Sequence, residues 1–80
     1  MIGRKPPKAT LDKAVDAMRV YLGSVGWARP QDEQKLYRRA TKALQRIEMM
    51  TGLDASNVWG QIEAEARKRG VVRPMPGHHI

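Results

Sequence analysis

Apolar residues recur at intervals of three and four along most of this 80-residue chain, and the interruptions fall at glycine and proline. Leu11, Ala14, Val15, Met18, Tyr21, Leu22 and Val25 make the first stripe, the spacing of a helix with one face turned to a core. Thr10 is suited to cap that helix and Asp12 to sit in its first turn, where the helix dipole favours an anion. The outer face carries Asp12, Lys13, Asp16 and Arg19, whose charges cancel, together with Val20. Gly23 or Gly26 should end the helix, because either can take the left-handed cap conformation at little cost. Trp27, in the loop that follows, is expected to close the end of the core as a lid.

The second stripe, within residues 31–51, is Leu36, Ala40, Ala43, Leu44, Ile47 and Met50, with Tyr37 at its edge. Pro30 suits the first turn of this helix, and Asp32 and Glu33 complement its dipole. Gly52 should end it, with Leu53 folding back on Ile47 or Glu48 in a Schellman-type cap. Asp54 then caps a third helix, and Leu53 and Val58 hold the positions of a hydrophobic staple around it. The third helix turns Ala55, Val58, Trp59, Ile62 and Ala66 to the core. Gly60 within it costs roughly 1 kcal/mol relative to alanine, which leaves close packing, a ligand's approach or no constraint at all as its reading. Arg67, Lys68 and Arg69 offset the dipole in the last turn, and Gly70 follows as the cap.

The pattern predicts an all-α fold, a compact three-helix bundle with helices at about 10–23, 30–51 and 54–69. Residues 1–9, with Gly3 and Pro6-Pro7, read as a flexible basic arm, residues 10–70 as the three-helix domain, and residues 71–80 as an irregular tail. Composition alone pulls the other way: Leu, Ile and Val total 15 residues, Phe is absent and the net charge is +7, a balance that leans toward disorder. Placement overrules it, since the apolar residues sit at helical spacing and two Trp, two Tyr and five Met add burial. A chain of this size is near the lower end of what one core supports unaided, so a homodimer is an open alternative.

The absence of cysteine excludes disulfides, thiol chemistry and Cys-based zinc sites, and agrees with a cytoplasmic location. No apolar run approaches the roughly 18 residues of a membrane span, and no apolar stretch follows the charged amino terminus, so neither a span nor export is expected. His78-His79 is the only histidine cluster, and two adjacent tail histidines fall short of the three or four rigid ligands a zinc site needs. No nucleophile stands beside a recognisable base and no glycine loop is built to cradle a phosphate. The expectation is a non-enzymatic protein with no cofactor and no metal.

Charge is what gives the chain a functional direction. Summed by segment it is +3 over residues 1–8, 0 over 9–26, −1 over 27–34, +5 over 35–47, −4 over 48–66 and +4 over 67–80. On helix two, Lys35, Arg38, Arg39, Lys42 and Arg46 fall together, away from the apolar stripe and with no acid among them. Like charges four residues apart weaken a helix slightly. Three such pairs occur here, Lys35 with Arg39, Arg38 with Lys42 and Lys42 with Arg46, and a polyanion alongside would relieve them.

The turn between helices two and three is similar to a helix-turn-helix, with Gly52, Leu53, Val58 and Ile62 where that motif has its turn glycine, the apolar residue after it and two buried residues of the recognition helix. The likeness spans about 20 residues. It departs from the motif at Glu48, where a small residue is usual, in the length of helix two, and in Glu63 and Glu65, which repel phosphate. The resemblance implies Ser56, Asn57 and Gln61 as the residues that would reach base edges.

These features point to a small basic accessory protein that binds nucleic acid, DNA ahead of RNA, through phosphate contacts from the helix-two face. Arg4, Lys5 and Lys8 of the arm would help, as would Arg67, Lys68, Arg69 and Arg73. Five to eight phosphates neutralised would give a log-log salt slope of roughly −4 to −7 on duplex DNA. The alternative is a protein-interaction module: an adaptor, inhibitor or subunit that docks its basic face on an acidic protein, or a homo-oligomer built on Val20, Trp27 and Met49. A membrane surface is disfavoured, because the apolar face of helix two is alanine-rich and has no Phe or Trp to insert.

Overall fold

Glycine and proline do divide the chain where the sequence pattern breaks. A computed structural model describes residues 5–73, and among them it forms three helices: α1 (Lys8–Ser24), α2 (Pro30–Thr51) and α3 (Ala55–Arg69). Each packs on the other two. The core is Ala14, Val15 and Met18 of α1, Leu44 and Ile47 of α2, and Val58, Ile62 and Ala66 of α3, with Leu11, Leu22, Ala43 and Leu53 packed against its rim. This is an all-α three-helix bundle, as the stripes predict.

The ends of the helices show which local signals governed. Helix α1 begins two residues before Thr10: Pro7, in extended geometry, accepts the first helical bond from the Leu11 amide at 3.0 Å. Thr10 is therefore not the cap, and Asp12 lies beyond the first turn, which holds no acid. A proline that brings no amide of its own is a natural boundary for a helix, and Lys8 and Ala9 extend the helix up to it. Those two residues belong to α1 and not to the arm. Residues 1–4 and 74–80, including Arg4, His78 and His79, lie outside the described residues.

Gly23 is inside α1, and it is Gly26 that turns the chain, at φ 73°. The Ser24 carbonyl accepts from the amides of Trp27 and Ala28 at 2.9 and 2.8 Å. Because the helix stops at Ser24, Val25 leaves the helical phase, and it is 50% exposed where the stripe predicted burial. Trp27 is 46% exposed with the Arg73 guanidinium 4.8 Å from its ring centre, so it is no lid on the core.

Helix α2 starts at Pro30 with Asp32 and Glu33 in its first turn, as expected. Asp32 is buried against Arg29 at 3.1 Å, and a Glu33 carboxylate oxygen accepts from the Gly26 amide at 3.3 Å. At the other end Gly52 takes φ 76° and its amide bonds the Glu48 carbonyl at 2.8 Å. The Leu53 amide, which a Schellman cap would aim at the same turn, bonds the Thr51 hydroxyl instead, at 3.3 Å. Thr51 can be buried there because its hydroxyl also donates to the Ile47 carbonyl at 2.7 Å. The buried line of α2 thus runs Asp32, Leu36, Ala40, Leu44, Ile47, Thr51 and leaves Met50 41% exposed. Asp54 caps α3 by accepting from the Asn57 amide at 2.8 Å, and Ala55, on the first turn, faces solvent.

Two features tie the bundle together beyond the aliphatic core. Tyr21 of α1, Tyr37 of α2 and Trp59 of α3 meet with ring centres 5.4 to 5.9 Å apart, in the edge-on and tilted arrangements that aromatic rings favour. The Trp59 indole donates to Glu63 at 2.8 Å. The second is the chain beyond α3, residues 70–73, which crosses back over α1. The Val72 amide bonds the Arg19 carbonyl at 3.1 Å, the Arg19 guanidinium bonds the Gly70 carbonyl at 2.7 Å, and the Val72 backbone lies directly on Gly23.

Candidate nucleic-acid interface

The apolar line of α2 faces α1 and α3, and this orients everything else on the helix. Lys35, Arg38, Arg39, Lys42 and Arg46 are all exposed. At about 1.5 Å per residue they extend over roughly 16 Å of helix. Among the described residues none of the five makes an ion pair, and none of their side chains makes a hydrogen bond to another residue.

The carboxylates that might have neutralised them are engaged elsewhere. Asp16 pairs with Arg19, Asp32 with Arg29, Glu63 with Arg67, and both Asp12 and Glu65 with Arg69, at 2.9 to 3.1 Å. Glu33 holds the Gly26 amide and Asp54 caps α3. Glu48 is on α2 itself, but at about 100° per residue it projects roughly 80° round the helix from Arg38 and further from the other four. The basic face is therefore uncompensated at short range as well as in its segment sum.

The flanking sites fare differently. Arg67 and Arg69, expected to join the interface, are held by Glu63, Glu65 and Asp12. The hydrogen bonds from Arg69 to Glu65 and then Asp12 raise its already high pKa further, as carboxylate partners stabilise its charge at the surface. Lys68 is exposed and makes no such pair. Lys5 and Lys8 are exposed too, with Lys8 opening α1 in a turn that has no acid to answer it. Arg73 is taken up by Trp27.

The pairs on α3 were readable in advance, since Glu63 with Arg67 and Glu65 with Arg69 are both spaced i, i+4. The pairing of Arg69 with Asp12, 57 residues away, was not. Around the helix-turn-helix-like turn, Val58 and Ile62 are buried and Gly52 is left-handed. Asn57 and Gln61 bond each other at 2.6 Å, and Ser56 lies 3.5 Å from Asp54. The three residues that would read bases are exposed, and each has one local side-chain partner near the start of α3.

A shallow groove beside the aromatic cluster is lined by Tyr21, Pro30, Glu33, Gln34 and Tyr37. Its burial, followed by the charges of Glu33, Tyr37 and Glu63, raises the Tyr21 phenol above its ordinary pKa of 10.0 and keeps it neutral. Among the described residues no three side chains converge as metal ligands, and no helix is long and apolar enough to cross a membrane. The molecule is thus a three-helix all-α domain with one helix face of a single sign. No family model, no curated protein and no solved structure matches this chain.

Proposed function

We propose that this protein binds nucleic acid, DNA ahead of RNA, as a non-enzymatic accessory protein whose α2 face lies against the phosphate backbone. The observation that carries the reading is the pairing pattern: seven of the eight acidic residues are committed to other partners, and among the described residues the five cations of α2 have none. Each cation that meets a phosphate releases condensed counterions, and this entropy supplies the affinity without any base being read. A cytoplasmic location goes with the reading.

With Arg67 and Arg69 paired to Glu63, Glu65 and Asp12, the α2 face by itself accounts for about five phosphates and a log-log salt slope on duplex DNA of roughly −4 to −5. Filter binding across a salt series tests this. Affinity no tighter than millimolar at low salt, or a flat slope, would sink the reading. So would unchanged binding after Arg38, Arg39 and Lys42 are all replaced by alanine.

One observation favours an acidic protein as the partner instead. Met49, 86% exposed, stands on the same side of α2 as Arg38 and Lys42, and an apolar anchor among arginines suits a protein interface. Under that reading Met49→Ala weakens binding and the salt dependence is shallow; under ours Met49→Ala leaves the slope unchanged.

A further inference from the structure

We infer that the ligand of the α2 face is double-stranded and not single-stranded DNA, an inference that rests on the nucleic-acid reading above. A single strand is flexible, and proteins that hold it without reading sequence combine cations with aromatic rings on which successive bases stack. This chain has four such rings, and none projects from the basic face of α2. Tyr21, Tyr37 and Trp59 close on one another with centres 5.4 to 5.9 Å apart. Tyr37 is the one ring on α2, and at about 100° per residue it projects at least roughly 100° round the helix from each of the five cations. Trp27 lies in the loop before α2, against Arg73.

What the face does offer is a straight row of charge fixed by its scaffold. Pro30 and Gly52 set the ends of α2, and its buried line holds it against α1 and α3. The five cations are thereby carried on a rigid rod, over roughly 16 Å. Duplex DNA is the rigid partner of matching form, with one charge per roughly 1.7 Å of its axis. A single strand would have to be straightened to meet the same row, with no stacking to offset the lost freedom.

The test is fluorescence anisotropy with the whole chain and two labelled probes, a mixed-sequence duplex of about 20 base pairs and one of its own strands, from about 50 to 200 mM salt. The duplex should bind at least about tenfold more tightly, with a slope of roughly −4 to −5 against roughly −3 to −4 for the strand. Tryptophan emission should be unchanged on saturation by either probe. Arg38→Gln, Arg39→Gln and Lys42→Gln together should flatten the duplex slope by about 3 while circular dichroism stays native. A strand bound as tightly as the duplex, or quenching of tryptophan by the strand, overturns this inference and leaves the nucleic-acid reading standing. Failure of both probes to bind overturns both.

Discussion

Two glycines inside helices, Gly23 and Gly60, should respond oppositely to the same replacement by alanine. A Cβ at Gly60 would meet nothing within 4 Å, so close packing, one of the reasons that the sequence suggests for a glycine there, is not its cause. Gly60→Ala should therefore stabilise α3 by up to about 1 kcal/mol, the difference in helix propensity. At Gly23 a Cβ would run into the carbonyl of Val72 and come within 2.9 Å of the Arg73 nitrogen. Both obstacles are backbone, so no rotamer change relieves them.

Overpacking of this kind costs about 1–3 kcal/mol, and the propensity gain of about 1 kcal/mol offsets only part of it. Lifting residues 70–73 off α1 is the alternative, and it gives up the two hydrogen bonds that hold them there, at about 1 kcal/mol each. Either way Gly23→Ala should lie about 1–3 kcal/mol below Gly60→Ala in stability. For a domain of this size that separates the melting temperatures by at least about 4 °C. Thermal melts followed by circular dichroism measure the gap, and amide exchange at Val72 reports whether the crossing segment has lifted. A Gly23→Ala variant that melts at or above Gly60→Ala would refute the packing argument.

Three further outcomes follow from particular contacts. Asp54→Ala removes the carboxylate that accepts from the Asn57 amide and should lower stability by about 1 kcal/mol, with Asp54→Asn close to wild type; equal melting temperatures for all three would show the cap to be idle. Replacing Arg67 and Arg69 by alanine should change the salt slope of DNA binding by less than 1, against about 3 for Arg38, Arg39 and Lys42, because Arg67 and Arg69 already have carboxylate partners; equal losses would mean that those pairs open on binding. Tyr21 has a phenol pKa raised by burial first and then by Glu33, Tyr37 and Glu63, so the fold favours the neutral form, and that share of stability is complete below pH 10 and lost as pH rises through the raised value. Urea denaturation above pH 10 should show wild type losing more stability than Tyr21→Phe, and identical losses would refute the assignment.

The fold was legible because burial in a three-helix bundle follows a period that a sequence displays. Leu36, Ala40, Leu44 and Ile47 on α2, like Val58, Ile62 and Ala66 on α3, are buried as their spacing requires. The misplaced residues sit where the period stops being the governing rule. Val25 lies one step past the end of α1, and Met50 gives way to Thr51, whose hydroxyl finds two local backbone partners. The start of α1 went to Pro7 and not to Thr10: Pro7 brings no amide of its own to the helix end, and Lys8 and Ala9 continue the helix up to it. The crossing of residues 70–73 over Gly23 had no periodic signature at all. At Gly23 the small residue records that backbone passes close by, and Gly60, with open space where a Cβ would be, shows that a helical glycine need not record this.

The candidate site was legible in its sign and less so in its extent. Segment sums make residues 35–47 and 67–80 look like comparable basic zones, but a sum treats a cation beside an acid and a cation facing water alike. Short-range pairing separates them: an arginine within about 3 Å of a carboxylate already has part of its charge and donor set answered, whereas Arg38 or Lys42 gives up only water on meeting a phosphate. On α3 acids stand four residues before Arg67 and Arg69; on α2 the pairs Lys35 with Arg39, Arg38 with Lys42 and Lys42 with Arg46, at the same spacing, are cation with cation. That contrast is local and lies in the sequence, and it predicts that the affinity for a polyanion resides in the helix where like charges were left together. The Asp12 to Arg69 contact adds what no local pattern contains, since it exists only once α3 has packed against α1. Packing therefore gives Arg69 a second carboxylate and leaves Lys68 as the unpaired cation of the last turn of α3 among the described residues, so under the proposed reading the α2 face is the surface on which a phosphate backbone would be met at least cost.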